Sequence, residues 1–145
     1  MHGHFCFCRL MDHLPNHLAA KILGLGTDLA EVDRIELSIA RFGARFLERI
    51  YTAGEIAYVA GKANHFERYA ARFAAKEAGM KALGTGWSGG IRWHDLEVTN
   101  LPSGRPMLLL HGKAAEHANG LGVRHIHLSL SHTATMAIAF VILEA

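Results

Sequence analysis

The stretch from about His65 to Leu83 constrains the fold most. It is rich in Ala, Lys, Glu, Arg and Met, all good helix formers. Gly84 follows where a helix stop is expected. The predicted helix must pack, yet it carries Arg72, Lys76, Glu77 and Lys81. Phe73, Glu77 and Lys81 fall at i, i+4, i+8 and share a face, with Arg72 and Lys76 on the adjacent one. Glu77 before Lys81 is the favourable order for a helix ion pair, so spacing alone predicts a solvated surface pair. Against that, Arg72 to Ala75 and Ala78 to Met80 leave little polar surface around Glu77. A carboxylate among alanines on a packing helix points instead to burial or to a metal. Hard oxygen ligands suit Mg²⁺, which typically takes one or two carboxylates plus substrate phosphates.

The elements around this helix set the fold class. Ile22 to Thr27 is short, apolar and Gly-spaced, as in a buried strand that another backbone approaches closely. After Asp28 the pattern turns helical, with Val32, Ile35, Ile39 and Phe42 at spacings of three and four. Gly43 is expected to break that helix, which leaves Arg34, Arg41, Arg45 and Arg49 as a loose basic ridge. Thr52-Ala-Gly-Glu55 has the capping-box pattern of a helix start. Leu96 to Val98 and Pro106 to Leu110 read as strands joined by the Asn100–Gly104 turn. Lys113 to Ala118 reads as a short helix closed by Asn119 and Gly120. His125 to Leu130 alternates, with Ile126, Leu128 and Leu130 on one face. Met136 to Leu143 is the longest apolar run and reads as a final buried strand. One strand, then helices, then an antiparallel run of strands predicts an α+β domain.

At 145 residues the chain has the size of one domain. Half its residues are hydrophobic and 19% are charged, which excludes intrinsic disorder. No apolar run nears the roughly 18 residues of a membrane span. The net charge of +2 is too mild for nucleic-acid binding, which calls for a strongly basic patch. Residues 1–20 stand apart from the domain at 21–145. They hold four of the eleven histidines and both cysteines, and are read as a weakly ordered extension or an upstream start. A small metal-binding tail from His2, His4, Cys6 and Cys8 is the alternative. The segment does not resemble a signal peptide. Cys6 and Cys8 are too close for an unstrained bridge, so reduced thiols and a cytoplasmic location are expected.

Three clusters carry chemistry. Asp28 closes the Gly26-Thr27-Asp28 exit of the first strand, either as a site carboxylate or as a helix N-cap. The helix cluster of Arg72, Lys76, Glu77 and Lys81 is the second. Ser129 to Thr133 gathers hydroxyls and an imidazole at a strand end, with turn chemistry as its plain alternative. The Gly84-Thr85-Gly86 loop can cradle a phosphate through backbone amides, although it lacks P-loop spacing. Together these make the inventory of a metal-assisted site for a phosphorylated ligand.

The motif order is Gly24-Leu-Gly-Thr-Asp28, Arg34-Ile35, Arg45 to Ile50, Arg72-Phe-Ala-Ala-Lys-Glu-Ala78, Lys81 to Gly86, Asn100 to Pro106 and Leu128 to Thr133. This closely resembles the holo-acyl-carrier-protein synthases, the short bacterial class of 4′-phosphopantetheinyl transferases, over about Ile22 to Val141. The resemblance implies a mainly antiparallel sheet packed with helices, a homotrimer, and sites at subunit boundaries. It implies transfer of the 4′-phosphopantetheine arm of coenzyme A to a serine of apo acyl carrier protein, releasing adenosine 3′,5′-bisphosphate, in support of fatty acid biosynthesis. Mg²⁺ is then held by Asp28 and Glu77, with Lys81 as a third catalytic residue. Arg72, Lys76, Lys81, Gly84, Thr85, Gly86, His132 and Thr133 are expected to hold coenzyme A. Arg34, Arg41, Arg45 and Arg49 are expected to dock the acidic carrier. The group that takes the serine proton stays open among a metal-bound water, Glu77 and Lys81.

The chain departs from the family pattern in places. Ala53 and Gly54 follow Thr52 where Pro is usual, Tyr51 stands for Leu, Gly79 sits inside the helix, and the extension has no counterpart. A diphosphate hydrolase using the same carboxylates would leave the arginine ridge idle. A binding module for coenzyme A or the carrier would not need both Asp28 and Glu77. A histidine-based metal carrier is the weakest alternative, because only His125 and His127 share a strand face.

Overall fold

The computed structural model describes residues 21–145; the expectations for residues 1–20 lie outside them. In chain order the elements are β1 (Ile22–Glu31), α1 (Val32–Phe42), α2 (Ala44–Ile50), α3 (Ala53–Val59), α4 (His65–Leu83), β2 (Leu96–Asn100), β3 (Pro106–Leu110), α5 (Gly112–Leu121), β4 (His125–His132) and β5 (Met136–Glu144). A single 3-10 turn, Trp93–Asp95, precedes β2. Two antiparallel sheets form, one in the order β1-β5-β4 and one of β2 with β3. Helices over antiparallel sheets match the expected α+β class.

The centre of the molecule is the seam between α4 and β1. Ala70, Ala74, Ala75 and Ala78 of the helix and Ala30, Ala137, Ala139 and Val141 of the sheet are all buried in the core. Small side chains on both sides let the helix lie directly on the strand backbone. The two glycines of β1 make this possible. A Cβ at Gly26 would collide with the Ala78 carbonyl, and one at Gly24 with the Ala82 carbonyl. The opposite side of α4 meets the second sheet. There Gly79 leaves room for Leu96 and Leu108, whose methyls would crowd a Cβ at 2.6 and 3.0 Å. This accounts for a glycine inside the helix, where it costs about 1 kcal/mol relative to Ala.

Local signals explain most boundaries. Thr52 Oγ1 accepts from Glu55 N at 3.2 Å, and Glu55 Oε2 accepts from Thr52 N at 2.8 Å, completing the predicted capping box. Gly43 takes φ 56° and separates α1 from α2, as expected. Gly84 ends α4 in the left-handed conformation.

Two boundaries differ from expectation. The strand β1 runs past Asp28 to Glu31, with Asp28 opposite Ala139 of β5. Asp28 is therefore a strand residue, and α1 starts after Glu31 without a side-chain cap. The neighbouring β5 supplies ladder partners that local propensity cannot reveal. Helix α5 runs through Asn119 and Gly120 and stops at Gly122. Burial of Ala114 and Ala118 holds it past those weak helix formers.

Candidate active site

Asp28 and Glu77 come together because β1 presses on α4. Asp28 lies on the strand face that meets the helix, two residues beyond the close contact at Gly26. Lys81 Nζ sits 2.7 Å from Asp28 Oδ1 and also donates to the Thr27 carbonyl at 3.0 Å. The expected helix pair of Glu77 with Lys81 is thus replaced by a pair across the seam. A 2.7 Å contact with a rigid strand carboxylate outweighs an i, i+4 pair worth about 0.5 kcal/mol. The Glu77 carboxyl is held above its ordinary pKa, first by burial and then by the charge of Asp28. Hydrogen bonding from Trp87 and the charge of Lys81 pull the other way.

This arrangement is one that a divalent cation relieves. Burial first, and the neighbouring charge of Asp28 second, disfavour the charged form of Glu77, and a positive ion offsets both. Among the described residues, no third His, Cys, Asp or Glu joins them into a closed cluster. Two carboxylates with open positions suit Mg²⁺, which keeps waters and takes phosphate oxygens.

An aromatic wall that the sequence did not single out borders the site. Phe73, one turn before Glu77, stacks on Trp93 at 5.0 Å, and Trp93 meets Trp87 at 4.0 Å. The only advance signal was Phe73 on the Glu77 face.

Two predicted phosphate ligands are placed elsewhere. Lys76 is fully buried and pairs with Glu55 Oε2 at 2.8 Å. It also donates to the carbonyls of Trp93, at 3.1 Å, and Leu96. Burial lowers the pKa of its ammonium, while Glu55 raises it. Arg72 is buried, donates to Asn100 Oδ1 at 2.8 Å and stacks over the Tyr58 ring at 4.6 Å. Both cations are inside the protein and face away from the carboxylates. Adjacent helix positions point about 100° apart, so the neighbour of Glu77 enters the core as Glu77 leaves it.

The remaining residues fall into three places. In the loop, the Gly84 N–H already donates to the Met80 and Lys81 carbonyls, which leaves the amides of Thr85 and Gly86, without a backbone acceptor among the described residues, to meet a phosphate. His132 and Thr133 line a separate cleft of about 130 Å³ with Leu29, Ser131 and Met136, in which neither carboxylate takes part. All four arginines are exposed. Arg34 opens onto a groove floored by Ile35, Phe46 and Phe73, and Arg45 and Arg49 onto the next one with Phe42 and Phe46. Arg41 instead lies over the Phe42 ring at 5.2 Å.

Known proteins share this architecture. The model of the 4′-phosphopantetheinyl transferase superfamily matches residues 24–140. The holo-[acyl-carrier-protein] synthase of Solibacter usitatus is 67% identical over 123 residues, covering 85% of this chain and 98% of that protein. The crystal structure of the holo-[acyl-carrier-protein] synthase from Neisseria meningitidis superposes with a TM-score of 0.80 at 30% identity, over 86% of this chain and 100% of that one. That of a Bacillus anthracis synthase, in complex with CoA (3′,5′-ADP), gives 0.72 at 36% identity, over 88% and 99%. By the family match over residues 24–140 and the 67% identity to a synthase covered almost end to end, the chain belongs to the 4′-phosphopantetheinyl transferase superfamily, among the holo-[acyl-carrier-protein] synthases.

Proposed function

We propose that this protein moves the 4′-phosphopantetheine arm of coenzyme A onto a serine of apo acyl carrier protein. In the reaction the serine oxygen attacks the phosphorus that bears the pantetheine. The bond from that phosphorus to the bridging oxygen breaks, and adenosine 3′,5′-bisphosphate leaves. The serine gives up its proton. The product supports fatty acid biosynthesis in the cytoplasm. Among the described residues no helix is long and apolar enough to cross a membrane.

The observation that carries the reading is the meeting of Asp28 and Glu77 across the β1–α4 seam, with Lys81 beside them. These two carboxylates would hold Mg²⁺. When bound, the ion supplies charge neutralisation at the pyrophosphate oxygens. The chain's own groups do the positioning. Lys81 stands half exposed with its cation directed at Asp28, placed to meet the charge that develops on the leaving phosphate. The Thr85 and Gly86 amides offer donors at the end of α4. Arg34 and Arg45 present charge to an acidic carrier, which raises the encounter rate and fixes orientation. The hydrolase alternative assigns nothing to that ridge.

A homotrimer is part of the proposal. The outer face of the three-stranded sheet exposes Leu25 at 64%, Leu29 at 60% and Phe140 at 45%. Such a contiguous apolar face suits cover by a second copy. His132 and Thr133 sit at its border with Leu29, where they would meet coenzyme A bound at a neighbouring chain's carboxylates.

Substitution tests the site. Asp28→Ala and Glu77→Ala should each reduce modification of the carrier by at least about a hundredfold, as removal of a charge-stabilising group does, with circular dichroism unchanged. Full activity in either variant would remove the metal assignment.

A further inference from the structure

A cavity of about 370 Å³ is lined by Arg49, Trp87, Ile91, Arg92, Trp93 and His94. Of these residues Arg49 belongs to the basic ridge, and the proposed transfer chemistry uses none of the others. Three features identify its occupant. The first is position: Trp93 forms a wall of this cavity and stacks at 5.0 Å on Phe73, one turn before Glu77, so the cavity opens next to the reacting centre. The second is continuity. Arg49 lines both this cavity and the groove of Phe42, Arg45 and Phe46, so the basic ridge continues into it.

The third is chemistry. Two arginines, two tryptophans and Ile91 line it together. The Arg92 side chain is 78% exposed, and the Asp95 carboxylate is 3.6 Å away. Asp95 is itself buried and accepts from the Arg92 backbone N–H at 3.1 Å. His94 is held by the Glu48 carbonyl, which fixes α2 against the 3-10 turn. Charge complementarity calls for carboxylates around an apolar side chain. A nucleobase fits less well, because Trp87 and Trp93 are packed on each other at 4.0 Å and leave no slot between them.

We propose that this cavity receives a second segment of the carrier protein, an acidic stretch with one apolar side chain, and that Arg92 helps select it. The proposal rests on the carrier-modifying activity above. It extends the docking surface from α1 and α2 to the edge of the site, so the carrier is gripped on both sides of its reacting serine.

The test is steady-state kinetics of apo-carrier modification, followed by intact mass, for wild type, Arg34→Glu, Arg92→Glu and Arg92→Gln. Arg92→Glu should raise the KM for the carrier about tenfold, the loss of one well-placed charge pair, and leave the KM for coenzyme A unchanged. Arg92→Gln should show a smaller rise in the same direction, and it carries the test if Arg92→Glu misfolds beside Asp95. A raised KM for coenzyme A instead would make the cavity a nucleotide subsite and overturn the proposal. So would a carrier KM indifferent to Arg92 but sensitive to Arg34. No transfer by wild type would overturn the function itself, and this proposal with it.

Discussion

Lys76 and Glu77 are neighbours in the chain with opposite fates. One enters the core, where Glu55 pairs with it at 2.8 Å and two carbonyls complete its shell. The other emerges beside Asp28. A buried pair contributes little net stability, but removing one member leaves an uncompensated charge. Lys76→Met should therefore destabilise the fold by about 3–5 kcal/mol, measured by urea unfolding, with Glu55 still receiving the Val98 N–H at 2.9 Å. A loss confined to coenzyme A affinity, with stability intact, would return Lys76 to phosphate binding. The sequence could point to Glu77 because alanines surround it. It could not place Lys76, because its partner Glu55 lies on α3, and nothing local reports that approach. The same holds for Lys81, whose partner Asp28 is 53 positions away. Trp87 and Trp93 went unnoticed for a related reason: a tryptophan in a Gly-rich loop carries no periodicity, and its role comes from the stack that folding builds.

At the level of elements, the glycine spacing of β1 and the alanine content of α4 are two halves of one device. Each was visible alone: the strand as Gly-spaced, the helix as Ala-rich with bounds that the structure reproduces at His65 and Leu83. Their mutual contact was not visible, because it depends on which strand lies under the helix. Two substitutions separate the seam from its far side. Gly26→Ala drives a methyl into the Ala78 carbonyl, which backbone cannot yield to cheaply. It should lower stability by about 3 kcal/mol, the upper end of overpacking costs, and reduce activity by shifting Glu77 from Asp28. Gly79→Ala meets only the flexible ends of Leu96 and Leu108, and gains about 1 kcal/mol of helix propensity. Its net effect should be small in the same unfolding assay. Equal losses in the two variants would contradict the seam. The extension of β1 past Asp28 belongs to this scale as well, since the ladder with β5 overrides the local tendency of Asp to cap a helix.

For the whole molecule, the buried face of the three-stranded sheet is spent on α4, and its outer face is left apolar in the single chain. The alternation in β4 announced the inner face correctly, since Ile126, Leu128 and Leu130 pack against the core. The outer face was unreadable, because β1 and β5 read as buried strands whichever partner covers them. Light scattering after size exclusion should give the mass of three chains, and Leu25→Asp with Phe140→Asp should reduce it toward one. A wild-type monomer would contradict the assembly. The central claim is the metal-assisted transfer itself. Intact-mass spectrometry of apo acyl carrier protein, incubated with this protein, coenzyme A and Mg²⁺, tests it most directly. The account predicts a phosphopantetheine-sized gain on the carrier that disappears with EDTA. Coenzyme A consumed without any gain on the carrier, or a gain indifferent to EDTA, would contradict it.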